Sequence, residues 1–284
     1  MLATRCRQIA NSDLNGVANV LARGFPRRGV KYWLKALERL SVHSTPPGLP
    51  RYGYLLENDG TPVGAILLIF STARDSSTLR CNVSSWCAEP AFRTHASLLI
   101  QQALKNKNVT YINISPATHV LRTIEAQGFS RYSNGQFVAI PTLGWNASSS
   151  PVTLSRPHLE PNAPFEPYER ELLLEHAGYG CISLWCSTFE RAYPFVFLPR
   201  LVKRFIPCAQ LVYCRDVADF VRFARPIGSF LALRGRPVVL IDSNGPIPGL
   251  TGRYFEGVAP KYFKGPEKPR LGDLAYTEAA MFGM

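Results

Sequence analysis

No C-x-x-C pair occurs in this chain, and its seven cysteines, at 6, 81, 87, 181, 186, 208 and 214, are scattered and odd in number. Zinc sites and disulfide frameworks recur at tighter spacings, so the pattern argues for neither a metal nor a disulfide scaffold. It predicts buried free thiols in a reducing compartment. Long apolar runs are lacking too. The longest, VGAILLIF at 63–70, falls far short of a membrane span and reads as a buried strand. The amino terminus, MLATRCRQIANSD, is polar and broken by charges, without the apolar stretch of a secretory signal, so the expected location is the cytoplasm. The sequons at Asn82, Asn108, Asn113 and Asn146 are then chance. Acidic residues are scarce: 20 Asp and Glu stand against 32 Lys and Arg, for a formal net charge of +12.

What is present fits a soluble globular chain. Its 284 residues are 46% hydrophobic and 18% charged, enough to bury a real core in one large domain or two ordinary ones. The positive charge gathers at 191–236, where nine Arg and Lys face only Asp216 and Asp219. Such a patch can attract a nucleic acid, an anionic surface or a phosphorylated small molecule, but no nucleic-acid motif accompanies it, and a solvated basic face is the expectation. The stretch 144–167, GWNASSSPVTLSRPHLEPNAPFEP, loses periodicity and fills with Pro, Ser and Asn, marking a linker at 144–166 between a domain at 1–143 and one at 167–284.

In the first half a short strand at 4–9 precedes a helix capped by Ser12, with Leu14, Val17, Ala18 and Leu21 on one face. A second helix over 30–40 turns Trp33, Leu37 and Leu40 inward. Strands are expected at 51–57, 61–70 and 79–88, the first two joined through Asn58-Asp59-Gly60. Then come a helix at 94–105, a strand at 109–115, a helix at 118–127 ended by Gly128, and a hairpin about Asn134-Gly135. The second half reads as a looser version: a helix at 167–177, strands at 181–187 and 192–197, a short basic helix, a strand at 209–214, a helix at 216–225, and a hairpin from 229 to 242. The stretch 265–278 reads as an ordered loop followed by a strand, and Asp242, Asp273 and Glu278 lie near strand ends as turn or substrate-facing carboxylates. The fold class is α/β with a mixed sheet flanked by helices, followed by a second, smaller α/β domain.

Three features of residues 4–142 together resemble the GCN5-related N-acetyltransferase superfamily. The strand order is similar. VSSWCAEPAFRTHASL at 83–98 stands where such proteins carry their fourth strand, a turn and the acyl-CoA pyrophosphate loop. THVLRTIEAQGF at 118–129 resembles the later helix that commonly ends Tyr-Glu-x-x-Gly-Phe, with Glu125, Gly128 and Phe129 in register. The resemblance implies an acyl-CoA-dependent N-acyltransferase, with acetyl-CoA or another acyl-CoA as co-substrate, no metal, and an amine-bearing small molecule or peptide as acceptor. Ser85, Trp86, Cys87 and Ala88 would hold the pantetheine arm along a bulged strand that splays from its neighbour. Arg93, Thr94, His95, Ala96 and Ser97 would cradle the pyrophosphate at a helix start. The bland alternative is an ordinary strand-to-helix turn whose hydroxyls cap the helix.

The sequence also departs from the family pattern. Ala96 and Leu98 replace the expected small glycine positions, Ile124 replaces the tyrosine that protonates the leaving thiolate, and Ala117 replaces an asparagine. Candidate catalytic groups are therefore His119 and Ser115, with Tyr111, Tyr132 and Glu89 as further donors or acceptors. The departures keep a second reading open, a non-catalytic ligand-sensing or interaction protein of the same fold. The second half either covers the first half's cleft or repeats the fold in degenerate form.

Overall fold

A computed structural model of the chain describes residues 4–72, 78–144, 151–203 and 205–283. Residues 145–150 of the linker at 144–166, with the sequon at Asn146, lie outside the described residues. The chain falls into two compact units, one of residues 1–113 with 263–268 and one of residues 114–262 with 269–284.

In the first unit β1 (Arg5–Gln8) is followed by α1 (Leu14–Gly24) and α2 (Val30–Val42), then β2 (Gly53–Asn58), β3 (Thr61–Thr72), β4 (Leu79–Ala88), α3 (Ala96–Ala103) and β5 (Val109–Asn113). The sheet runs β1-β2-β3-β4-β5, antiparallel except for the parallel pair β4 and β5. Val17, Leu21, Trp33, Leu37 and Leu40 are buried as their helical spacing requires, and Leu55, Ile66, Leu68 and Leu99 are buried in the same unit. The β2–β3 turn places Asp59 at φ 52° and Gly60 at φ 75°, the type I′ geometry that Asp-Gly accommodates. Ser12 does not cap α1. It sits in a 3₁₀ turn, Asn11–Asp13, where the Asp13 carboxylate accepts from the Ala10 N–H and from Arg7.

The second unit opens with α4 (Leu121–Ala126) and β6 (Ser130–Ala139). It continues through β7 (Thr153–Ser155), α5 (Pro167–Gly178), β8 (Ile182–Ser187), β9 (Ala192–Val202), β10 (Ile206–Tyr213), α6 (Val217–Arg222), α7 (Ala224–Ala232), β11 (Val238–Ser243) and β12 (Gly252–Lys264), the last two residues of β12 belonging to the first unit. Its strands run β12-β6-β11-β10-β9-β8-β7, with β10 and β11 parallel. Phe195, Phe197, Phe220, Phe223, Ile227 and Val239 form its core, joined by Phe137 and Ala139 of β6.

The succession strand, helix, three antiparallel strands, helix, parallel strand occurs twice, as β1 to β5 and as β7 to β11. The sixth strand of the first series lies in the second unit, and only the end of the sixth strand of the second series lies in the first. β6 pairs antiparallel with β11 in the second unit, while the end of β12 enters the first, where Glu267 N–H donates to Thr110 Oγ1 at 3.2 Å on β5. The compositional seam contains β7, and the compact units divide at Asn113/Ile114.

Four sequence expectations are corrected. Asn134-Gly135 is not a turn but the middle of β6, because a Cβ on residue 135 would stand 2.3 Å from the Phe255 carbonyl oxygen of β12. The basic stretch after 197 is no helix: β9 runs on to Val202, and Phe205 N–H donates to Val202 O as the chain turns back into β10. Residues 224–232 form α7 rather than the first arm of a hairpin, and β11 lies parallel to β10. Residues 265–278 contain no strand; Asp273 makes one isolated bridge to Tyr213 and a π-helical turn follows at Ala279–Gly283.

Candidate functional site

The first unit carries a parted sheet. β4 and β5 pair from Leu79↔Val109 to Asn82↔Ile112 and no further, so Val83 to Ala88 continue without a β5 partner. The buried Asn82 amide sits at the point of parting and donates to the Ile112 carbonyl at 3.2 Å and to the Val83 carbonyl at 3.3 Å. On its other edge β4 slips register against β3 between Ala65↔Cys87 and Leu67↔Ser84, and Ser85 takes φ 54°. An extra residue at such a bulge turns a strand away from its neighbour. Trp86 and Cys87 make no backbone hydrogen bond beyond the sheet ladder among the described residues. Burial pushes the Cys87 thiol up to about 12, so the side chain is neutral rather than a thiolate nucleophile.

The strand leads through Glu89 into a 3₁₀ turn, Pro90–His95, and then α3. Trp86 ties the two together, its indole Nε1–H donating to the Ala96 carbonyl at 3.2 Å. Ala96 has φ −60°, an ordinary helical value, so the side chain in place of a glycine is unstrained. Leu98 is 38% exposed and points away from the core. No side chain caps this helix, and Thr94 Oγ1 turns instead to His95 Nδ1 at 3.2 Å, so the capping alternative does not describe the turn. Arg93, Thr94 and Ser97 are exposed, Arg93 without an ionic partner among the described residues, and no acid stands in the first turn of α3. A parted strand with unengaged backbone groups, ending at a helix start with a free guanidinium, suits an extended amide-bearing anion. Glu89, a possible base, is committed to an ion pair with Arg23.

Ser115 and His119 fall in the second unit. Ser115, two residues past the end of β5, donates its hydroxyl to Glu278 Oε1 at 2.5 Å. Glu278 is 3% exposed, so it is a buried carboxylate with an exposed serine hydroxyl in front of it. Their separation of 163 residues left no local signal of the pairing. His119 is exposed on a 3₁₀ turn, Thr118–Val120. Ile124 is buried, Tyr132 is buried, and Tyr111, also buried, donates to the Asn106 carbonyl. Asp242 is buried and paired with Lys261 Nζ at 2.7 Å. The basic segment is largely spent internally: Arg200 on Gln210, Arg215 on Glu169, Arg222 on Tyr193, Arg234 on Phe230 and its carbonyl, and Arg236 on two carbonyls.

No family model matches the sequence, and no curated protein matches it. Solved structures do. A GCN5-related N-acetyltransferase of Anabaena variabilis superposes with a TM-score of 0.57 at 12% identity, over 92% of this chain and 72% of that one. One from Kribbella flavida gives 0.55 at 13%, over 92% and 71%. Eis1 of Mycobacterium abscessus gives 0.51 at 11%, over 96% and 74%. At these identities the likeness is one of fold: the chain has the mixed α/β fold of the GCN5-related N-acetyltransferases, and the match extends across both series of strands.

Proposed function

We propose that the protein is an acyl-CoA-dependent N-acyltransferase whose co-substrate lies in the first unit. The observation that carries this reading is the parting of β4 from β5 beside a bulge at Ser85, followed directly by an uncapped helix start with exposed Arg93. Ser85, Trp86, Cys87 and Ala88 are proposed to pair with the pantetheine amides. Arg93, Thr94, His95, Ala96 and Ser97 are proposed to hold the pyrophosphate through the helix N-terminus, hydroxyls and charge. The fold shared with known acetyltransferases supports the reaction class.

In the reaction the acceptor nitrogen attacks the thioester carbonyl carbon, the C–S bond breaks, and the thiolate leaves and takes up a proton. Holding thioester and amine together supplies much of the rate. Ser115 is a proposed proton acceptor: within the second unit its hydroxyl donates to Glu278, so it can take up a proton while passing its own to the buried carboxylate. His119 is the second proposed acceptor. Domains at 1–143 and 167–284, joined at 144–166, are the proposed sequence-level division, with β1 to β5 in the first, β8 to β11 in the second and β7 within the joining stretch.

One observation favours the non-catalytic reading. Ile124 is a buried aliphatic residue where the family's thiolate-protonating phenol would stand. The test is release of free thiol from acetyl-CoA with an alkylamine, an aminosugar and a peptide amine, for the wild type and for Arg93→Glu/Ser97→Glu. Amine-dependent release that the double variant loses is expected. Acetyl-CoA binding without release for any amine selects the ligand-sensing alternative, and no binding by folded protein refutes the acyltransferase reading in favour of a non-catalytic interaction protein.

A further inference from the structure

The second series of strands repeats the parted sheet. β10 and β11 pair only from Cys208↔Val238 to Gln210↔Leu240, and β10 slips register against β9 between Leu211 and Tyr213. The buried Gln210 stands at this parting as Asn82 does at the other. Counting onward from those two amides, Val212, Cys214 and Arg215 occupy the places of Ser84, Trp86 and Cys87. Here the backbone is engaged. Leu274 N–H donates to Val212 O at 2.7 Å, Cys214 N–H donates to Gly272 O at 2.9 Å, and Arg270 donates to the carbonyls of Cys214 and of Arg215, the latter at 2.9 Å.

The helix start differs as well. Asp216 caps α6, its carboxylate accepting from Ala218 N–H at 2.8 Å, and Asp219 stands in the first turn where α3 has no acid. Carboxylates already sit where a pyrophosphate would.

We infer that the cleft of the second series is filled by the chain's own segment 270–276, which takes the place of an extended ligand, so that each chain binds one acyl-CoA, in the first unit. The claim about acyl-CoA rests on the function proposed above; the claim of self-occupancy does not. The segment is anchored at both ends. Arg270 holds the first, and Tyr276 N–H donates to His176 Nε2 at 3.1 Å while Tyr276 Oη–H donates to Glu175 at the second. Gly272, at φ 78°, lets it lie close: a Cβ there would stand 2.7 Å from Cys214 Sγ and 3.3 Å from Val217 Cγ2.

Amide hydrogen exchange on the full chain, with and without acetyl-CoA, tests this. The Cys214 and Leu274 amides are expected to be protected without ligand and unchanged by it. Gly272→Val/Arg270→Ala is expected to speed their exchange at least tenfold while leaving amides 79–82 as they were. Fast exchange in the ligand-free wild type, slowed by acetyl-CoA, overturns the inference, and so does a stoichiometry of two acetyl-CoA per chain. If acetyl-CoA binds nowhere, the proposed function fails, while ligand-free protection of Cys214 and Leu274 still supports self-occupancy.

Discussion

Asn82 shows how a single side chain sets the shape of the cleft. Its amide spans to the Ile112 carbonyl where the ladder between β4 and β5 stops, so the parting is held rather than frayed. Asn82→Leu leaves that buried carbonyl without its donor and is expected to cost about 1–3 kcal/mol by denaturant unfolding; an unchanged midpoint would contradict the role. Burial raises the thiols of Cys87 and Cys186 to about 12 and lifts Cys81, Cys208 and Cys214 in the same direction. The unfolded chain therefore loses these protons first as pH rises. Their stabilising contribution is complete below the ordinary thiol value of about 8.5 and is lost toward 12. Urea midpoints should fall between about pH 8 and 10.5, less steeply in Cys87→Ala/Cys186→Ala. Glu278→Gln keeps the size of the side chain but removes the proton acceptor, and the account expects kcat to drop about 100-fold with KM little changed. Loss of binding alone would make Glu278 structural. None of this pairing was legible in the sequence, where Ser115 looked like a candidate by its place after a strand and Glu278 like one of three terminal carboxylates.

At the scale of elements, the pattern of apolar spacing was readable wherever one face alone meets the core. α1 and α2 lie where the periodicity of Val17, Leu21, Trp33 and Leu37 put them, and the type I′ turn follows from Asp59-Gly60. Asn134-Gly135 misled because the same dipeptide also serves a strand crossed closely by another backbone, which is a tertiary fact. The basic stretch after 197 misled because its charges suggest a helix surface, whereas β9 continues through it to Val202. Gly135→Ala tests the close approach: forcing β12 off β6 should cost about 1–3 kcal/mol. A neutral substitution there would mean that the strands are not in contact.

For the whole molecule, the placement of β6 in the second unit could not be read from residues 1–143, because its partner arrives about a hundred residues later as β11. The fold class was legible and the compact boundary was not, since composition marks where the chain is loose and not where it is paired. Lys261 of β12 and Asp242 of β11 form a buried pair inside the second unit, 2% and 4% exposed at their side chains. Lys261→Met leaves an uncompensated carboxylate and is expected to cost about 3–5 kcal/mol, much of it recovered in Lys261→Met/Asp242→Leu. The measurement that bears most directly on the account is calorimetric titration of the full chain with acetyl-CoA, beside Arg93→Glu/Ser97→Glu. Saturable binding at one site per chain, abolished by the two charges, is the predicted result. Absence of binding in folded wild type, or binding that survives both substitutions, would contradict an acyl-CoA cleft at β4 and α3.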